Sequence, residues 1–166
     1  MTEKESVIKE KLKNEGIFNF ASLYKFAHSW LKEAHYGVDE ERYEEKIKGN
    51  AKEIAIQWKA TRDVSDYFRF EHKIKFEIRN LVEVEAEIDG AKRKTNQGEL
   101  GIEISANLVK DKDSKWDTSP FSRFTRDIYN KFIIPSRIFE LKKELEHDAR
   151  NFKEEIKSFL ELEGRR

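Results

Sequence analysis

The clearest pattern in the chain is the alternation of apolar and charged side chains over residues 68–88. Even positions such as Phe70 and Ile74 are mostly apolar, and odd positions are mostly charged. Because successive side chains of a strand point to opposite faces, this pattern predicts an antiparallel sheet with one buried and one solvated face. The stretch exceeds the usual strand length of about 5–10 residues. It therefore predicts two strands that reverse near residues 79–81, with one long strand bent by a bulge as the alternative.

Further alternating stretches predict the rest of the sheet. A turn at Gly49 and Asn50 separates an extended segment from a strand over residues 54–58, and the even positions of residues 100–108 are again apolar. Between these segments, Asp89–Gly90 is a turn signal, and the polar residues 91–99 are expected to form a hairpin tip. The sequence thus predicts an antiparallel meander of about five strands.

Apolar side chains at three- and four-residue spacing predict helices on both sides of the sheet. Residues 3–14 and 20–34 are expected to form two N-terminal helices. Pro120 starts a third helix, which should cover the sheet, and Pro135 separates it from a long last helix that packs on the sheet. The predicted class is α+β, in a single domain that spans residues 1–166.

Composition narrows the function classes. The chain has 33 Lys and Arg, 33 Asp and Glu, and no cysteine. A neutral net charge argues against a nucleic-acid partner, and the lack of thiols excludes disulfides and suits a reducing interior. There is no apolar run long enough to span a membrane and no signal-peptide core at the N-terminus, so we expect a cytoplasmic protein.

Two groups of residues are candidate sites. An aromatic cluster with a histidine on the buried sheet face could line an apolar ligand or form an ordinary core, and it comprises His72, Phe70, Phe76 and Trp58. A basic run on the expected hairpin tip could contact a polyanion such as RNA, or could be a solvated loop, and it comprises Lys92, Arg93 and Lys94.

Signatures of catalysis or of cofactor binding are lacking. The sequence contains no nucleophile elbow, no glycine-rich phosphate loop and no complete calcium loop. His28 and His35 could approach each other, but nothing nearby supplies a third metal ligand. We therefore expect no metal, no cofactor and no catalytic residues, and a binding protein rather than an enzyme.

Three short runs, residues 64–69, 96–100 and 156–160, resemble small uncharacterised archaeal proteins of similar layout. That resemblance implies no activity. A curved antiparallel sheet with a long C-terminal helix also resembles helix-grip proteins, which hold apolar ligands between the two.

Three functions follow as hypotheses. The first is a non-enzymatic binding or adaptor module with a protein partner. The second is a helix-grip binder, or enzyme, for an apolar small molecule between the sheet and the C-terminal helix. The third is a polyanion binder that uses Lys92, Arg93 and Lys94.

Overall fold

A computed structural model describes residues 2–110, 120–128 and 135–164 of the chain. The first half contains β1 (Glu3–Ile17), α1 (Phe20–Glu33), β2 (Gly37–Lys48) and β3 (Ala51–Asp63). The second half contains β4 (Phe68–Ile88), β5 (Ala91–Lys110), α2 (Pro120–Ile128) and α3 (Pro135–Gly164).

The five strands form one antiparallel sheet in the order β1-β5-β4-β3-β2. Strands β2 to β5 are a meander, and β1 pairs with β5 at the opposite edge from β2. The α+β class, the antiparallel sheet and the long C-terminal helix are confirmed. The described residues contain one helix before β2 and not the two that were predicted.

The predicted helix over residues 3–14 is wrong, because these residues form the edge strand β1. Its register shifts between Ser6 and Ile8, so Val7 is an extra residue in the strand. This bulge places apolar residues side by side at Val7 and Ile8, with Leu12 four residues further on. That spacing imitates a helical stripe.

The predicted reversal near residues 79–81 is also wrong, because β4 continues to Ile88. Asn80 and Leu81 both lie opposite the single residue Gly98, and Asn80 has a φ of 53°. One long strand bent by a β-bulge is the alternative that the sequence pattern allowed. A glycine suits this position, because a Cβ atom at residue 98 would lie 3.0 Å from the Arg79 carbonyl oxygen.

The bulge in β4 changes which side chains face the helices. Before it, even positions such as Ile78 are buried, whereas after it Leu81 is buried and Val82 is not. Because the side-chain period of a strand is two residues, one extra residue exchanges the faces. The apolar even positions beyond residue 81 therefore do not extend the core.

The turns at both hairpins are confirmed. Lys48 pairs with Ala51 around Gly49, and Ile88 pairs with Ala91 around Asp89 and Gly90, which both have positive φ. The residues predicted as a polar hairpin tip are thus the first half of β5.

Helices α1 and α3 cover one face of the sheet, called the inner face here. The buried side chains of α3 recur at three- and four-residue spacing, namely Leu141, Leu145, Ala149, Phe152, Ile156 and Leu160. The two helices also contact each other, since Phe26 stacks on Phe159 with 4.8 Å between ring centroids. The described part of the third helix does not cover the sheet as expected, because Phe121 and Phe124 are 77% and 62% exposed. The remainder of that predicted helix, residues 129–134, lies outside the described residues.

Candidate functional site

A buried hydrogen-bond chain links the sheet to both long helices. The Tyr36 hydroxyl, just after α1, donates to Asp148 of α3 at 2.6 Å and lies 2.9 Å from Nε2 of His72 on β4. Since the single hydroxyl proton goes to the carboxylate, His72 is the donor of the second bond. Arg62 completes the group by donating to Asp148 at 3.3 Å and to Glu144 at 3.1 Å.

This arrangement keeps both central groups neutral. Burial lowers the pKa of His72 to about 4, and the Arg62 cation adds to the effect while Glu71 opposes it. Burial also raises the pKa of Tyr36 far above its usual value, and the bond to Asp148 acts in the same direction. Tyr36 and His72 thus form a neutral connection between the sheet and the helices at neutral pH, and the charges beside them are those of Arg62, Asp148 and Glu144.

The four residues predicted to line an apolar ligand all lie in the core. Trp58 and Phe70 are fully buried, and His72 and Phe76 are each 3% exposed. The Trp58 ring meets the edge of Phe76 with centroids 4.9 Å apart. The gap between the sheet and α3 beside His72 is too small for a water molecule. The space that an apolar ligand would need there is filled by side chains.

A cleft of about 540 Å³ lies at the other end of the inner face and is called the open-end cleft. It is bounded by the start of α1, by the β2–β3 hairpin and by β4 and β5 beyond the bulge. Its lining residues are Asn19, Phe20, Ala21, Tyr43, Glu45, Asn50, Lys52, Ile54, Leu81, Glu83, Lys94, Thr95 and Asn96. The volume lies within the usual range for small-molecule sites of about 300–1,000 Å³.

Asn96 fixes the position of α1 beside this cleft. Its backbone carbonyl accepts from Phe18 N–H, and its side-chain oxygen accepts from Phe20 N–H, both at 3.1 Å. Asn19 caps the helix by accepting from Ser22 N–H at 2.8 Å. Because α1 begins here, none of the helices that the structure describes packs on the inner face of the strand ends beyond it.

The charges of the open-end cleft are balanced. Lys52 lies 3.2 Å from Glu45, and Lys94 lies 3.9 Å from Glu83. The bulge in β4 brings Glu83 to this face, where Val82 would otherwise point. Three asparagine amides add both donors and acceptors. The lining therefore offers mixed hydrogen-bonding groups with no net charge around an apolar base.

Tyr43 supplies the most exposed aromatic surface of the open-end cleft. It belongs to the inner-face positions of β2, because Tyr43 pairs with the buried Ile56, yet it is 45% exposed. Ile47 follows on the same strand and is 72% exposed, but it does not line the cleft. The open-end cleft was not foreseen from the sequence, because its lining depends on the bulge and on where α1 begins.

The basic run predicted to bind a polyanion lies on a two-stranded ribbon, formed by residues 82–88 and 91–97. Lys92 and Lys94 face Glu87 and Glu85 across the ribbon, whereas Arg93 faces Ala86. Carboxylates thus oppose two of the three cations directly. The structure does not create a concentrated positive charge at Lys92, Arg93 and Lys94.

The fold and the site define an α+β protein with a helix-covered antiparallel sheet and an uncovered polar cleft at one end. Comparison with protein-family models, with curated proteins and with solved structures found no match in any of the three. Within residues 2–110, 120–128 and 135–164, no cluster of three or more acidic or histidine side chains could hold a metal ion. No helix in the same ranges is long and apolar enough to cross a membrane.

Proposed function

We propose that the protein is a non-enzymatic binding module that holds a small, net-neutral, hydroxyl-rich molecule in the open-end cleft. A single observation carries this proposal. The cleft is left uncovered by both helices, and its lining combines two lysines, two glutamates and three asparagines with an exposed tyrosine ring. Each glutamate lies beside a lysine, Glu45 next to Lys52 and Glu83 next to Lys94, which supports a role in hydrogen bonding more than one in acid–base chemistry.

The lining favours hydroxyl groups for a physical reason. A hydroxyl donates and accepts at once, so it can bridge a lysine and a glutamate that already face each other, as Lys52 and Glu45 do. A ligand with a net charge would meet a carboxylate beside every cation. The exposed Tyr43 ring offers an apolar platform for the carbon face of a ring-shaped ligand. A saccharide combines these properties.

The proposal of a binding role without catalysis is supported by where the two most strongly perturbed groups lie. His72 and Tyr36 have displaced pKa values, but they bond to each other beneath α3, where a water molecule does not fit. A general base must reach its substrate directly or through one water molecule. The same lack of space disfavours an apolar ligand between the sheet and the C-terminal helix.

The test is an NMR titration of the ¹⁵N-labelled protein with three probes: maltose, glycine betaine and benzoate. We expect maltose to shift the amide signals of Tyr43, Asn50 and Asn96 and to bind more tightly than the other two. Tighter binding of benzoate would show that the cleft selects anions, and tighter binding of betaine would show that hydroxyl groups do not matter. Either result, or no response to maltose, contradicts the proposal.

Two variants on one strand localise the binding. Tyr43→Ala removes the platform and should weaken maltose binding by about tenfold, the effect of losing a contact of about 1.4 kcal/mol. Ile47→Ala removes a more exposed apolar side chain from the same strand, outside the open-end cleft. It should change the affinity less than about twofold. Equal effects of the two substitutions would place the ligand elsewhere.

A further inference from the structure

The outer face of the sheet is the face opposite the helices. It carries a cluster of cations, although the net charge of the whole chain is zero. In one line across the strands, Lys9 pairs with Ser105, Ser105 with Lys73, and Lys73 with Lys59, which pairs with Asp39 at the β2 edge. In the next line, Lys11 pairs with Glu103, Glu103 with Lys75, and Lys75 with Gln57, which pairs with Arg42. These two lines are called the basic band. Its cations are Lys9, Lys11, Arg42, Lys59, Lys73 and Lys75.

Part of the basic band is already neutralised within the protein. Lys9 lies 2.9 Å from Glu103, Lys59 lies 3.3 Å from Glu71, and Arg42 donates to Glu44 at 2.6 Å. The carboxylate of Glu71 is 2% exposed and also binds Lys4. Burial alone would raise the pKa of Glu71, but the two lysines outweigh it and lower the pKa.

The other three lysines have no such partner. Lys11, Lys73 and Lys75 form no direct ion pair with any residue that the structure describes, although Lys11 and Lys75 flank Glu103 and help Lys9 to lower the pKa of this glutamate. Lys73 also lies directly opposite Lys59, and like charges in this position destabilise a sheet. A bound anion would relieve that repulsion, so the arrangement favours an external counter-charge.

We propose that the basic band binds the phosphate backbone of a nucleic-acid strand that lies across the sheet. The band spans five strands, which is about 19 Å at the usual strand spacing, and its two lines are about 7 Å apart. This is the footprint of one extended backbone, not of a broad membrane surface. Ser105 and Gln57 lie between the cations and add neutral hydrogen-bonding groups.

The side chains of the outer face indicate which part of the nucleic-acid strand is recognised. The positions of the basic band include no aromatic side chain on which a base could stack. Contacts are therefore made to phosphates and not to bases, and binding is independent of sequence and sensitive to salt. The open-end cleft lies on the inner face, so this site is separate from the one proposed above.

The test measures the fluorescence anisotropy of a labelled 20-nucleotide oligouridylate over a series of salt concentrations. The triple variant Lys11→Gln, Lys73→Gln and Lys75→Gln removes the three unpaired cations. We expect it to lose about tenfold or more in affinity at low salt. The slope of log K against log salt should become shallower by about 2, since each phosphate contact contributes about 0.7 for a single strand.

The matched control removes the same charge outside the basic band through Lys92→Gln and Arg93→Gln on the ribbon and Lys157→Gln on the exposed side of α3. It should keep the affinity of the unmodified protein to within about threefold, because these cations lie outside the basic band. An equal loss in both variants would show that only total charge matters and would overturn the proposal. So would a lack of oligouridylate binding by the unmodified protein at 50 mM salt, or retention on anionic vesicles without oligouridylate binding.

The replaced side chains are on the solvated face, so we expect the variants to fold, and a thermal melt of each variant separates misfolding from a loss of binding. Removing the Lys73 charge eliminates a like-charge pair with Lys59, so the single variant Lys73→Gln should melt at or above the temperature of the unmodified protein. A lower melting temperature would itself contradict the argument from repulsion.

Discussion

Lowering the pH from 7 to 5 should weaken the fold through His72 in particular. Its imidazole is 3% exposed, donates to Tyr36 and lies in the field of Arg62, so the charged form is disfavoured. In the unfolded chain the same group has its ordinary pKa of 6.5, against about 4 in the fold. The unfolded state therefore binds a proton that the folded state does not, and stability falls as the pH drops from about 6.5 toward 4.

The size of the effect follows from the two pKa values. Each unit of difference corresponds to about 1.4 kcal/mol, so the complete loss below pH 4 is roughly 3 kcal/mol. Between pH 7 and pH 5 the expected loss is about 2 kcal/mol, because most of the unfolded chains are protonated at pH 5 while the folded protein is not. This is a substantial part of a typical domain stability of about 5–15 kcal/mol.

The assay is urea denaturation at pH 7, 6 and 5 for the unmodified protein and for His72→Gln. The glutamine amide can still donate to the Tyr36 hydroxyl but does not titrate. The difference between the two pH profiles cancels the contributions of other groups and should reach about 2 kcal/mol at pH 5. Parallel profiles would refute the claim that His72 is buried in its neutral form.

Three further substitutions test local features of the fold by thermal or urea denaturation. Gly98→Ala should destabilise by about 1–3 kcal/mol, since the new methyl group would meet the Arg79 carbonyl oxygen and the Leu81 backbone, and an unchanged stability would mean that the bulge is not as close as described. His35→Gly should stabilise by about 1 kcal/mol, because His35 ends α1 with a φ of 69° that a side chain disfavours; a loss of stability would show that its side chain matters more than its backbone. Thr95→Val should leave stability unchanged or raise it by up to about 1 kcal/mol, because the buried hydroxyl has no hydrogen-bond partner among the described residues. A loss of more than 1 kcal/mol would reveal such a partner.

The sequence predicted those features of the fold that depend on side-chain period alone. The alternation at Phe70 and Ile74, the turn at Gly49 and the apolar stripe of the last helix all agree with the structure. These patterns are local, so a period of two or of three to four residues is enough to assign them. The open-end cleft could not be predicted in this way, since it depends on where α1 begins relative to the strand ends.

The N-terminal segment contains a strand pattern that would have revealed part of the basic band. Its lysines are Lys9, Lys11 and Lys13. They alternate with Glu10 and Leu12, which is a period of two and the signature of a strand. If this segment were a helix, these lysines would lie on different sides of it. Only the zero net charge of the chain would then bear on whether a charged partner binds. Treated as strand β1, two of them join the basic band. The assignment of one element thus decides whether a charged face is visible at all.

The same physical cause explains the wrong predictions in β1 and β4, and it also shapes both proposed sites. Each of these two strands contains one extra residue, which is Val7 in β1 and one of Asn80 and Leu81 in β4. Strand β2 has a bulge of the same kind at Glu41. A bulge exchanges the two faces of a strand, so a pattern with period two is interrupted at the point where the surface changes character. In β2 it brings Tyr43 to the open-end cleft and Arg42 to the basic band. A break in an alternation, as at Asn80–Leu81, is therefore a sequence signal for a change of face and not only for a turn.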